Sequence, residues 1–319
     1  MLVRFWGTRG SLPVAPTAEA ARRKIVNALL LADGRRFEDY AEADRFVESE
    51  LSFAAGASYG GASPCVELEA GDGSYFICDM GSGLRSFGLD SLKRNAGGHR
   101  KTYNFFLSHL HWDHIMGFPF FAPAFDPEAI IRIHAAHPDA EQALRRQQEE
   151  ISFPVPFDWL RADIQFVQLT PGETHEVDGV QVDTKLQAHS HVSYGYRFTD
   201  AGQSVVYSTD SEHKLENMNV EAAFIDFFRE ADLVICDTMY SLADSVSMKE
   251  DWGHSSNIVA VDLCHEAKAK KLALFHHEPT YDDEDIQRMH EESIRYEELT
   301  RDGPPLEVIC SYDGLEVRV

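Results

Sequence analysis

"LSHLHWDHIMGFPFF", Leu107 to Phe121, places His109, His111, Asp113 and His114 within six residues, directly after the apolar run "YNFFL". A buried strand that ends in such a cluster is the arrangement from which the fold can be read. His109 and His111 are two residues apart, so in extended chain both side chains project to one side and can grip one cation. Asp113 and His114 follow a single spacer, where "DHIMGFPF" can begin a helix, so they point elsewhere and suit a second cation beside the first. Imidazole nitrogens combined with a carboxylate select zinc, with manganese or iron as alternatives, over calcium or magnesium.

Outward from that stretch the chain reads as strands first and then strands mixed with helices. "MLVRFWG" is a first strand, followed by a Gly-rich turn. From Ala18 to about Phe53 apolar residues recur at three- and four-residue spacings, which predicts a helical insertion. "CVELEAGDGSYFICDMGSG" alternates around a Gly-Asp-Gly turn and reads as a hairpin. "IIRIHAA", "IQFVQL", "VQVDTKLQA", "GYRFTD" and "SVVYSTD" continue the β pattern. "ADLVICDTMY", "SSNIVAVDLCHEAKAKK" and "LALFHHE" form a β-α-β unit. A helix over Asp283–Thr300 and a closing hairpin, "LEVICSYDGLEVRV", complete the expectation, and two sheets packed face to face with helices outside accommodate it.

Composition narrows the classes. The 319 residues are 44% hydrophobic, enough for a sizeable core, and no apolar run approaches the ~18–20 residues of a membrane span. "MLVRFWGTRGSLP" carries no charged leader before an apolar stretch, and the five cysteines are scattered without a C-x-x-C pair. A cytoplasmic location with buried free thiols is the expectation. The net charge of −24 repels polyanions on average, which disfavours long nucleic acid as a partner.

The motif, preceded by "ICDMGSGLR", resembles the metallo-β-lactamase superfamily. More narrowly, "FWGTRGSLP", "YGGASPCVE", "YSTDSEH", "WGHSS" and "LALFHHEP" resemble the branch of ribonuclease Z-like and cyclic-nucleotide phosphodiesterase-like hydrolases. The resemblance implies an α/β fold, a four-layer αββα sandwich, with residues 1–319 as a single domain carrying the helical insertion at about 15–55. It also implies two divalent metal ions per chain at one edge of the paired sheets. Beyond His109, His111, Asp113 and His114, the family pattern calls for a histidine after the "VQVDTKLQA" strand. His189 and His191 both qualify, and counting back from Gly195 favours His189. Asp210 would bridge the two metals, and His276 would be the last ligand in preference to His277. Asp113 would orient the attacking water and take its proton, and His254 would act as general acid to the leaving oxygen.

Further residues take supporting parts in the same pattern. Asp79 would organise the loop beneath the metals, and Asp237 with Tyr240 would hydrogen-bond a ligand or line the pocket. His191 and His277 would stand beside the metals, and Arg9 would either reach substrate phosphate or brace its Gly-rich turn. His99, His134, His137, His175, His213, His265 and His290 show no ligand spacing. Departures from the pattern include "YGGASPCVE" in place of Gly-Gly-Asn-Thr-Ser-Cys, Glu278 where aspartate is common, and the absence of a basic transfer-RNA-gripping arm.

The function expected is therefore a binuclear metal-dependent phosphodiesterase acting on a small phosphoester, such as a cyclic or short nucleotide. A thioester or lactone hydrolase on the same fold is the alternative within enzymes, and a catalytically idle metal-binding sensing or interaction protein is the alternative outside them. The helical insertion suits a surface-packed hairpin of helices, with a lid or a contact between two copies as the alternatives, and a homodimer is compatible with the last.

Overall fold

The computed structural model describes residues 1–71, 73–95, 101–213, 218–241 and 252–319; His99 lies outside them. The first sheet has the strand order β14-β1-β2-β3-β4-β5-β6. Its strands are β1 (Leu2–Gly7), β2 (Cys65–Glu69), β3 (Ser74–Cys78), β4 (Thr102–Leu107), β5 (Ile130–Ala135), β6 (Asp163–Gln168) and β14 (Glu316–Arg318). The second sheet has the order β13-β12-β11-β10-β9-β8-β7. It comprises β7 (Thr174–Val177), β8 (Val180–Gln187), β9 (Ser193–Asp200), β10 (Gln203–Ser208), β11 (Leu233–Asp237), β12 (Lys271–Phe275) and β13 (Glu307–Cys310). Each sheet pairs antiparallel on one side of its fourth strand and parallel on the other. The two halves thus repeat one topology without any repeat of sequence.

Alternating side chains explain the sandwich. Val3, Phe5, Val66, Leu68, Phe76 and Phe106 of the first sheet meet Val182, Tyr196, Phe198, Val205, Tyr207, Ile235 and Phe275 of the second in one buried layer. Phe106 stacks on Phe76 at 5.8 Å and meets Phe198 edge-on at 4.9 Å, tying the sheets together. Each such ring contributes roughly 1.5–3 kcal/mol by leaving water. The intervening residues face outward and are covered in turn. α4 (Leu84–Arg94) and α6 (Ala140–Gln147) pack on the first sheet, and α7 (Met218–Phe228) and α8 (Asn257–Ala267) pack on the second. β3 and β11 are buried along their whole length, as strands covered on both faces must be.

The expected insertion is helical: α1 (Ala18–Leu31), α2 (Tyr40–Glu50) and α3 (Phe53–Gly56). Thr17 and Asp39 cap the first two by accepting from Ala20 N and Glu42 N. Phe53 of α3 packs with Tyr59, Tyr312 and Ile286, the last from α9 (Asp283–Thr300). α1 buries none of its residues.

The closing hairpin does not form. β13 pairs parallel with β12, and β14 pairs antiparallel with β1 in the opposite sheet. The reason is α9, which lies between β12 and β13 and supplies the crossover that a parallel neighbour needs. The chain then turns at Gly314, at φ +97°, and crosses to the other sheet. The five cysteines are all free and buried. Among the described residues no helix is long and apolar enough to cross a membrane.

Candidate metal centre

The site forms where strands from both sheets end. Asp79 follows β3, the His109–His114 stretch follows β4, His189 follows β8, Asp210 follows β10 and His276 follows β12. α5 (Trp112–Ile115) begins inside the motif with His111 as its N-cap, so Asp113 and His114 leave the extended run of His109 and His111 and join a second, adjacent group of ligand atoms, the His109 and His114 rings lying 4.2 Å apart. Hydrogen bonds from Met80 N to His114 O and from the Ser63 hydroxyl to Asp113 O hold that turn in place. Ser63 belongs to the atypical "YGGASPCVE" loop, whose Gly61 and Ala62 amides donate to Asp313.

Asp210 sits at the centre, and its two oxygens face different partners. Oδ2 lies 3.5 Å from His109 Nε2 and 3.6 Å from His189 Nε2, and the latter is 3.4 Å from His111 Nδ1. Oδ1 lies 3.2 Å from both His114 Nε2 and His276 Nε2. Those two nitrogens are 3.4 Å apart, and Asp113 Oδ2 is 3.1 Å from one and 3.4 Å from the other. Two ligand-competent groups result, one of His109, His111, His189 and Asp210, the other of Asp113, His114 and His276. A third grouping joins Asp210, His276 and His254. Of the two candidates after β8, it is His189 that brings a nitrogen to Asp210. His191 is exposed, with its ring 5.7 Å from that of His111.

The donor set fits divalent cations. His109 Nε2 is buried without any hydrogen-bond partner, a costly state for a polar atom unless something else meets it. His114 Nδ1 pairs with Asp79 at 2.7 Å, which directs the proton to that side and leaves the Nε2 lone pair facing the cluster. Burial, followed by the nearby His114, holds His109 well below the ordinary histidine value, in its neutral ligand form. Burial alone would raise the Asp210 carboxyl, yet His276, His114 and His109 hold it well below the usual range. Burial would likewise lower His114, but Asp113, Asp210 and Asp79 push it well above. The same surrounding carboxylates would favour a cation bound in that place.

The supporting shell is only partly as expected. Asp79, at φ +59°, accepts from Ser108 N, the Ser108 hydroxyl and Tyr207 Oη at 2.7–2.8 Å. Tyr207 reaches it from the opposite sheet, a contact for which β10 offers no local signal. Asp237 accepts from His254 Nδ1 at 2.7 Å. Burial alone would lower that imidazole, and the Asp237 carboxylate pushes it up to about 9. Tyr240 meets the His254 ring edge-on at 5.7 Å.

Arg9 and His277 both turn to backbone carbonyls, which decides for Arg9 the structural one of its two expected parts. Arg9 is buried and donates to the carbonyls of Gly60, Glu278 and Tyr281, so its guanidinium braces loops and does not reach for phosphate. His277 Nε2 bonds Ser311 O, and its ring packs on Tyr59. Residues that sequence reasoning missed are Ser11, whose amide donates to Asp113 Oδ2 at 2.9 Å, and Gly253, whose carbonyl meets His189 Nδ1 at 2.8 Å.

Two mixed sheets between helical layers, with His/Asp clusters at one edge, define the metallo-β-lactamase class of fold. A family model of the beta-lactamase superfamily domain matches residues 93–277, and the chain belongs to that family. It is 23% identical over 244 residues to a ribonuclease Z of Oceanobacillus iheyensis, covering 61% of this chain and 77% of that one. Among solved structures it resembles the metallo-beta-lactamase fold protein YhfI of Bacillus subtilis, with TM-score 0.65, 17% identity, and coverage of 99% and 98%. It also resembles a diphosphatase from the PhnP family, with TM-score 0.60, 18% identity, and coverage of 100% and 97%.

Proposed function

We propose that the protein is a binuclear metal-dependent phosphodiesterase acting on a small phosphoester, such as a cyclic or short nucleotide, with the whole chain working as one domain. The observation that carries this reading is Asp210, whose two oxygens are addressed by separate sets of ligands drawn from both sheets. His109, His111 and His189 would hold one ion, Asp113, His114 and His276 the other, and Asp210 both. Zinc suits the imidazole-rich donors, with manganese or iron as alternatives. When bound, such ions would lower the pKa of water and neutralise charge on a phosphoryl group.

The chain's own residues then divide the proton work. Asp113, fixed by the Ser11 amide, orients the attacking water and accepts its proton. His254 directs Nδ1 to Asp237, which leaves Nε2–H free to protonate the departing oxygen. An acid on that side is needed for an alkoxide leaving group and not for a thiolate. That requirement favours phosphoester over thioester hydrolysis, as does the likeness to a diphosphatase. The ribonuclease Z relative points to RNA instead; the net charge of −24 supports a small substrate over a long polyanion. The test is turnover of bis-(p-nitrophenyl) phosphate with metal content measured on the same sample. Two equivalents per chain with turnover supports the reading; a fully loaded protein inert to phosphodiesters but active on thioesters or lactones overturns it.

A further inference from the structure

Trp112 and Trp252 are 78% and 59% exposed, an unusual state for the largest apolar side chain. Both line the same cavity of about 570 Å³, whose floor holds His111, Asp113, His189, Asp210 and His254. They come from different elements, and each is tied to the metal centre. Trp112 opens α5 between His111 and Asp113. Trp252 precedes Gly253, which adopts φ +86° with its carbonyl on His189 Nδ1. A Cβ at Gly253 would come within 2.6 Å of that nitrogen, so the backbone there is pressed against the ring. No lysine or arginine is among the described residues lining the cavity. Apart from the candidate metal ligands and His254, the lining consists of Ser11, Leu110, Ser190 and the two largely exposed indoles.

We infer that Trp112 and Trp252 form a stacking rim that selects a phosphodiester bearing a nucleobase. The inference rests on the phosphodiesterase reading and names its substrate class. A base has a π-face that either indole can stack upon without sequence preference, whereas the described lining holds none of the cations that track a long phosphate backbone.

The experiment compares two esters with the same five-membered cyclic phosphate, adenosine 2′,3′-cyclic phosphate and glycerol 1,2-cyclic phosphate, on zinc-loaded protein. The nucleotide should have the lower KM. Trp112→Ala and Trp252→Ala should each raise the nucleotide KM by about 5- to 150-fold, the range of one base–aromatic stack. The KM of the glycerol ester should move far less than that of the nucleotide. Trp112→Phe and Trp252→Phe should retain most of the preference, which separates stacking from damage to the neighbouring ligands. Equal KM values for the two esters in the wild type, or a preference that survives both alanine variants, overturns the inference while phosphodiester hydrolysis stands. If neither ester nor bis-(p-nitrophenyl) phosphate turns over, the phosphodiesterase reading fails; if only the two cyclic esters are inert, that reading stands. In either case quenching of indole fluorescence by adenosine monophosphate decides the rim. Quenching lost in the alanine variants supports it; no quenching overturns it.

Discussion

Asp79, Asp210 and His276 occupy the left-handed region, at φ +59°, +48° and +64°, where each non-glycine residue costs roughly 1–3 kcal/mol. They close β3, β10 and β12, so the strain sits where strand direction must break to turn a side chain into the cluster. Asp210→Ala should therefore empty both groups of ligands; a variant that keeps two ions by elemental analysis would remove the bridging role. His254→Ala should load metal normally and hydrolyse esters with poor leaving groups roughly 10²- to 10⁴-fold more slowly. An unchanged rate on such a substrate eliminates it as the acid. Gly253→Ala has a different expected signature. The new Cβ collides with His189, so weaker metal binding should appear in a titration while far-UV dichroism stays the same.

Among the elements, β4 and β5 carry a titratable group into the core. His134 stacks on Phe106 at 4.8 Å, its Nε2 pairs with Asn104, and burial pushes it down to about 4. Its unfolded value is near 6.5, so between those limits the folded chain binds fewer protons than the unfolded one. The contribution is complete above about pH 6.5 and is lost as pH falls towards 4, on the order of 3 kcal/mol in full. Urea midpoints should drop between pH 7.5 and 4.5 more steeply in the wild type than in His134→Gln; equal slopes would contradict the assignment. α1 behaves oppositely. Leu29 and Leu30 are 68% and 71% exposed, so Leu30→Ser should alter stability by no more than about 0.5 kcal/mol. A larger loss in the melting curve would mean that this face is covered in solution.

At the scale of the whole molecule, the two sheets present equivalent edges to one another. Cross-sheet bonds meet at the site: Tyr207 Oη donates to Asp79, Tyr196 Oη to Leu107 O, and Tyr194 N to Ser108 O. The clusters are assembled only in the folded state, so bound metal should stabilise by mass action. With free metal a thousandfold above Kd the gain is about 4 kcal/mol. Chelation should lower Tm, and restoring zinc should recover it; a Tm indifferent to chelator would mean that the clusters hold no ion.

The strands, the helical insertion and the division of His109 and His111 from Asp113 and His114 into two neighbouring groups were legible in the sequence, because periodicity and spacing report local direction and burial. Partnership across the chain was not. His189 meets His111 across 78 residues and His276 meets Asp113 across 163, and local pattern does not rank His189 over His191 with certainty or aim Arg9 at backbone carbonyls. The last two strands alternate as a hairpin would, yet they complete opposite sheets, since an edge is filled by whichever strand the crossover helix delivers. Sequence by itself determined which residues could bind a metal; only tertiary structure decided which of them face one another, because pairing of sheets and burial of rings, not spacing, set those distances.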